Sequence, residues 1–446
     1  MQEPTAERVV ADFVAGLDPG DVPEGAVRTA ERAFVDTVGV TLAGAAADAG
    51  ERAGRFAALY GAGDGATLLG REGRAALPAA ALANGTAGHA LDYDDLCWAM
   101  DGHPSVPLVP AVLAVGEHVG ASGRDAVAAY AAGFEAMSSL AGPVSPRHYE
   151  LGWHPTATFG TFGATAAAAH LLDADAGTVR QALSVAASMP AGLKRNFGSM
   201  TKPLHAGLAA RSGVTAALLA DDGFTADEAP VSGEDGFWDL YADGAGGELP
   251  RPGDPWALVE TGINVKPYPC CYFTHTTIAA TASLVAESEA APADIERIEV
   301  RASAGAGDAL AHADPATGLE AKFSMEHCAA AGAACDRVGL EEFTDAAARD
   351  PTLAALRERV EFEVDPELPY DAHAATVAVV TDQGRFEEHR ADPPGTHDDP
   401  LSEAELRRKF TECATAVLSE ERAAAAHGRL NSLAERESLA GALSGL

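Results

Sequence analysis

Between Asn84 and Pro110 the chain reads NGTAGHALDYDDLCWAMDGHPSVPLVP, which sets His89 and His103 among Asp92, Asp94, Asp95 and Asp101. An imidazole beside a carboxylate suits proton transfer near neutral pH. The glycines and prolines around the acids place them in a loop between two helices, where functional side chains concentrate. A run of helix-capping aspartates with an incidental His-Pro is the plainer alternative. Asp92, Asp94 and Asp95 with His103 could also hold a divalent cation. No His-x-x-x-His or carboxylate pair on an expected helix supports a hydrolytic metal, so none is expected.

A second stretch, GLKRNFGSMTKPLHAGLAARSGVTAALLA from Gly192 to Ala220, gathers Lys194, Arg195, Lys202 and His205. Its weight comes from scarcity, because Lys194, Lys202, Lys266, Lys322 and Lys409 are the whole lysine complement of 446 residues. After Lys202-Pro203 a helix is expected with Leu204, Leu208, Ala209 and Gly213 inward. Lys202 then lies near a helix N-terminus, a place that suits an anion. Surface ion pairing is the alternative, but it contributes little and arginine serves it equally. His154 stands in the turn before the small-residue helix of Gly152 to Leu172, either facing a cleft or closing the turn. Lys266 stands among prolines and aromatics, and His327 lies on an expected helix over Lys322 to Ala331.

Positioning these groups falls mainly to helices. Val10, Phe13, Val14 and Leu17 recur at helical spacing, as do Val27, Ala30, Phe34 and Val38 after Pro23. Val109 to Val119 and Asp125 to Ala136 continue the helical pattern, and Pro230 to Pro255 is an acidic, glycine-rich connection. The pattern changes near Lys266: Ile295 to Arg301, Val360 to Val364 and Thr376 to Thr381 alternate as half-buried strands, with a turn at Gln383-Gly384 into Phe386 to Arg390. From Ser402 the helical pattern resumes through Leu406, Phe410 and Cys413 to the end. The expectation is a mostly α protein with a large, discontinuous all-helical domain (1–265 and a return at 399–446) and a smaller α+β domain at 266–398.

With 31 basic against 66 acidic residues the formal charge is −35, a surface that repels nucleic acid and anionic membranes. Such an acidic, lysine-poor surface suits high salt, so a halophilic cytoplasm is expected. The start, MQEPTAERVVADFVAGL, lacks the features of a secretion signal, and no apolar run is long enough to span a bilayer. Cys97, Cys270, Cys271, Cys328, Cys335 and Cys413 show neither zinc spacing nor a disulfide framework, and the adjacent Cys270 and Cys271 are ill placed to share an iron–sulfur cluster. No cofactor is expected.

The ordered series HALDYDD (89–95), GHPS (102–105), GWHPTATFG (152–160), GSMTKPLHAG (198–207), KPYP (266–269) and AKFS (321–324) resembles the MmgE/PrpD family across nearly the whole chain. Its members include 2-methylcitrate dehydratases, cis-aconitate decarboxylases and iminodisuccinate epimerases. The resemblance implies a helical domain with a smaller α+β domain, a homodimer, and a small di- or tricarboxylate substrate. It also implies active-site residues at Asp92, His103, His154, Lys202 and Lys266; His205, Lys194 and His327 are read from the residues themselves as further substrate-binding candidates. Two positions depart from decarboxylase-type members, Leu96 in place of threonine and His327 in place of tyrosine.

Chemistry gives these residue types a common task. Removing a proton beside a carboxylate builds negative charge that fixed lysines stabilise most in the transition state. Histidines can supply the base and the acid, and Asp92 could orient one of them. Four functions follow: a 2-methylcitrate dehydratase-like lyase first, then an iminodisuccinate-type epimerase, a cis-aconitate-type decarboxylase, and a non-catalytic carboxylate-binding relative last.

Overall fold

The computed structural model describes residues 4–61 and 65–446. The chain divides into two units, one running to Asn264 and including Ser402–Leu446, the other Val265–Leu401.

In the first unit, helices Ala6–Gly16 and Glu24–Ala45 open the chain at the two amphipathic patterns. Helices Leu77–His89, Ser105–Val119, Gly123–Ala141, Pro155–Leu171 and Thr201–Asp221 form its interior. These carry small or apolar residues on nearly every side, as helices packed all round must. Close approach is set by glycine: a Cβ at Gly207 would lie 2.2 Å from Thr86 Oγ1 and 2.3 Å from the Leu82 carbonyl, and one at Gly213 would lie 2.5 Å from Ala164 Cβ. Of the residues expected to face inward on Thr201–Asp221, Ala209 and Gly213 are buried and the two leucines are not fully so. Leu204 and Leu208 are half-buried, while Ala206, Gly207, Ala209 and Ala210 are buried, because the contact with Leu77–His89 is too tight for leucine.

The helix expected from Val109 starts at Ser105, since Pro107 falls in the first turn, where a missing N–H costs nothing. The C-terminal return is not one continuous helix. Glu403–Ala414 begins at a capping box of Ser402 with Glu405, and Glu420–Leu430 begins at Ser419, whose side chain accepts from the Arg422 amide. Glu403–Ala414 packs on Glu24–Ala45, where Gly39 admits the Phe410 ring.

The second unit holds a four-stranded sheet in the order Val360–Val364, Ile295–Ala302, Ala375–Thr381, Gly384–Arg390; the first pair is parallel and the others antiparallel. Ile298, Val300, Val377 and Val379 line one face and pack with Ala280 and Leu284 of helix His275–Ser288 and with Met325, Ala329 and Ala330 of helix Met325–Ala334. The latter helix starts three residues later than expected, because the Ser324 hydroxyl accepts from the His327 amide at 3.0 Å and caps it. No helix among the described residues is long and apolar enough to cross a membrane.

Gly207→Val should lower the melting temperature by several degrees, since overpacking a tight core costs about 1–3 kcal/mol. Thermal unfolding checks this, and an unchanged melting temperature would show that the interface can open without cost.

Candidate active site

The acidic loop connects helix Leu77–His89 to helix Ser105–Val119. Asp92 takes a left-handed backbone conformation, φ 53°, which aspartate tolerates better than most residues. Its carboxylate meets the Lys202 ammonium at 2.9 Å. Lys202 occupies the first turn of helix Thr201–Asp221, as the sequence suggested. The carboxylate that meets the histidine Nδ1 atoms is that of Asp94. The Asp94 carboxylate is fully buried and lies 2.9 Å from Nδ1 of His89 and 2.9 Å from Nδ1 of His103.

This geometry settles tautomers. His103 Nδ1 faces only acceptors, Asp94 Oδ2 at 2.9 Å and the Asp95 carbonyl at 2.8 Å, so it carries the proton and leaves the lone pair on Nε2. The His103 amide donates to Thr156 Oγ1 at 2.9 Å, which ties the ring to the first turn of helix Pro155–Leu171. His89 likewise donates from Nδ1, and its buried Nε2 has no partner among the described residues. Burial pushes His89 down to about 4, against the pull of Asp94. Burial alone would raise Asp94, but His89 and His103 together hold it well below the usual carboxylate range.

Asp95 points the other way. Its carboxyl takes the Ser105 hydroxyl, which lies 2.7 Å from the Tyr130 hydroxyl, and burial with Asp36 nearby pushes it well up. Adjacent aspartates thus serve different elements, Asp94 two histidines and Asp95 the start of the next helix. Beneath the loop, Lys409 pairs with buried Asp36 at 2.6 Å and donates to the Tyr93 carbonyl at 2.7 Å, so the C-terminal return pins the loop between Asp92 and Asp94.

His154 precedes helix Pro155–Leu171, and its amide is held by the Gly192 carbonyl at 3.0 Å. Its Nδ1 lies 3.0 Å from Nδ1 of His205, so one ring donates and the other accepts. Burial, with His89 and Lys202 close by, pushes His154 well below its ordinary value, and burial with Lys202 lowers His205. The His154 ring centroid is 6.4 Å from that of His103 and 5.8 Å from that of His89. Asp92, His103, His154, Lys202 and His205 therefore belong to one constellation with His89 and Asp94.

The remaining candidates hold other protein contacts. Lys194 donates to the Tyr149 carbonyl at 3.1 Å and sits 3.3 Å above the Tyr149 ring, and Arg195 is exposed. The expected cationic spot is not a free cluster, because its lysines already hold protein partners. In the second unit, buried Lys266 donates to the Cys270 carbonyl at 3.1 Å. His327 spends both ring nitrogens on the protein, Nε2 at the Glu342 carbonyl (2.8 Å) and Nδ1 by Arg357 (3.4 Å), which ill suits a substrate ligand. Leu96 is buried, and its backbone bridges to Asn264.

Ligand atoms of His89, Asp92, Asp94 and His103 lie within 4.8 Å of one another, close enough to gather a metal ion. The charges argue against that use. Lys202 neutralises Asp92, and both histidines spend their Nδ1 protons on Asp94. His89 is the residue that motif reading passed over. Its signal was present, a histidine five residues before Asp94 at a helix end, but His103 drew the assignment.

The MmgE/PrpD N-terminal domain model matches residues 8–249, and the MmgE/PrpD C-terminal domain model matches residues 268–431. The chain belongs to the MmgE/PrpD family. It is 29% identical to the cis-aconitate decarboxylase of Homo sapiens over 429 residues, covering 92% of this chain and 88% of that protein. It is 27% identical to the Mus musculus cis-aconitate decarboxylase, covering 92% and 86%. A cis-aconitate decarboxylase-like protein of Aspergillus oryzae is 26% identical, covering 94% and 92%. The family and these relatives mark the chain as an enzyme of the lyase kind.

Asp94→Asn should lower turnover about 10²- to 10⁴-fold while the fold survives, as expected when a histidine loses the carboxylate that fixes its tautomer. Near-normal kcat would remove Asp94 from the chemistry. Acid stability offers a separate check. Unfolded His89 binds a proton near 6.5 but folded His89 only near 4, so the unfolded state holds more protons between these values and stability falls as pH falls. Melting temperature, measured at about 1 M salt to screen the surface charge, should drop from pH 6.5 to 4; a flat profile would contradict a buried neutral His89.

Proposed function

We propose that this chain is a cofactor-independent lyase that removes a proton beside a carboxylate of a small di- or tricarboxylate and eliminates a hydroxyl as water, in the manner of a 2-methylcitrate dehydratase. The observation that supports this most is the His103 tautomer. With Nδ1–H held by Asp94 and the Asp95 carbonyl, Nε2 is the basic atom and takes the proton from carbon. The electron pair left behind forms the carbon–carbon double bond as the hydroxyl departs.

The leaving hydroxyl needs a proton, and the His154–His205 pair suits that need without a buried imidazolium. When His205 donates to His154 Nδ1, His154 bears its proton on Nε2. Giving that proton away while taking His205's at Nδ1 keeps the His154 ring neutral, and His205 takes a replacement proton at its own Nε2 from solvent. Lys202 stabilises the charge that builds on the substrate carboxylate, exchanging part of its contact with Asp92 for the substrate. Lys266 is proposed as a second carboxylate ligand. Lys194, whose ammonium lies over the Tyr149 ring as well as on its carbonyl, and His327, both of whose ring nitrogens meet protein groups, are left out.

Decarboxylation is the second reading, favoured by the names of the human and mouse relatives. Leu96 speaks for dehydration, because it sets a buried apolar side chain beside Asp95 where decarboxylase-type members carry a hydroxyl. Epimerisation would use the same base and cations without loss of a group.

Incubation with 2-methylcitrate, cis-aconitate and iminodisuccinate, followed by mass and chiral analysis, distinguishes these outcomes. Water loss from 2-methylcitrate is expected, with activity intact after exhaustive chelation; carbon dioxide loss or inversion would select the other reactions, and no turnover would favour a binding protein. Lys202→Ala should lower that turnover about 10²-fold or more, and near-normal activity would remove Lys202 from the mechanism.

A further inference from the structure

The second unit contains a buried basic atom that its own chain leaves unused. His275 opens helix His275–Ser288 and is buried between Tyr268 and Tyr272, with ring centroids 5.2 Å and 4.8 Å away. Its Nε2 lies 3.3 Å from the Cys270 carbonyl. A carbonyl can only accept, so Nε2 carries a proton, and the tautomer with that single proton presents a lone pair at Nδ1. That Nδ1 is buried and has no partner among the described residues. The same Cys270 carbonyl receives the Lys266 ammonium at 3.1 Å, so one carbonyl joins Lys266 to the His275 ring. Burial, with Lys266 nearby, pushes His373 down to about 3.

A buried polar atom without a partner is costly, and a ligand that supplies the missing donor recovers that cost. We propose that Lys266 and His275 form one subsite for a hydroxycarboxylate, in which Lys266 takes the carboxylate and His275 Nδ1 accepts the hydrogen bond of the neighbouring hydroxyl. This rests on the polycarboxylate reading above and adds a specificity element to it. His275 then separates a hydroxylated substrate from the same carbon skeleton without the hydroxyl.

The test is calorimetric binding of citrate and of propane-1,2,3-tricarboxylate, which differ only in that hydroxyl. The wild-type protein should prefer citrate about ten-fold, the worth of one hydrogen bond to a buried acceptor. His275→Gln keeps a donor near the Nε2 position and removes the Nδ1 acceptor. It should bring the ratio to about one, as expected for the loss of that single bond, while leaving the affinity for propane-1,2,3-tricarboxylate unchanged. His275→Asn, with an acceptor near the Nδ1 position, should retain part of the preference. Equal affinity of the wild-type protein for both ligands overturns the inference and leaves the polycarboxylate reading standing. So does a preference that survives His275→Gln, or an equal loss for both ligands. Binding of neither tricarboxylate by the wild-type protein overturns both.

Discussion

A carboxylate taken wholly out of water is tolerated only when donors surround it, and Asp94 meets that demand with two histidine N–H groups. The direction of this contact governs the chemistry. Because both Nδ1 atoms face Asp94, both rings turn their Nε2 atoms away from it. The cost is borne by the surrounding packing, which must exclude water from Asp94 and hold two rings 4.5 Å apart between centroids. Glycine-mediated helix contacts make that packing possible. Gly85 of helix Leu77–His89 would bring a Cβ within 2.9 Å of Gly207, so the backbones carrying His89 and His205 approach more closely than any larger residue allows.

Lysine use follows from the same constraint. An ammonium inside a protein must be paired, and here Lys202, Lys266, Lys322 and Lys409 are all buried. Lys202 meets a carboxylate; Lys409 meets both Asp36 and the Tyr93 carbonyl; Lys266 and Lys322 donate to the successive carbonyls of Cys270 and Pro269. Arginine is bulkier and keeps its planar fork, so it substitutes poorly where a point charge must reach one oxygen. A chain with an acidic surface and few lysines has therefore kept them for interior tasks. Lys409 shows this without touching the constellation, since it fixes the backbone between the two aspartates that do.

The fold was legible because its signals are local. Period-two alternation over Ile295 to Arg301 and period-three-to-four spacing from Val10 and Val27 need no knowledge of the partner element. The loop from Asn84 to Pro110 was legible for the same reason, through its glycine and proline punctuation. Pairings across the chain were not. Which aspartate faces which histidine depends on the left-handed turn at Asp92 and on the rotation of the loop over Lys409, so the sequence did not single out Asp94 as the carboxylate in contact with the histidines. His327 stood in a matched motif, yet the Glu342 carbonyl and Arg357 that occupy it lie 15 and 30 residues away. Lys194 looked like part of an anion site by sequence distance, while Tyr149, 45 residues earlier, holds it.

Electrostatics at long and short range oppose each other in the proposed chemistry. A polycarboxylate approaching a chain of net charge −35 is repelled, and the repulsion weakens as salt shortens the screening length to about 8 Å at physiological strength and about 3 Å at 1 M. Attraction must come from fixed cations that act only at contact. Lys202 and Lys266 are suited to that division, because each is buried, where salt screens it least, and each already rests on a protein oxygen that a substrate carboxylate can replace or share. High salt would then remove the barrier to encounter while leaving the site's own charge contacts nearly intact. In that balance an acidic exterior and a lysine-bearing interior are compatible properties of one enzyme.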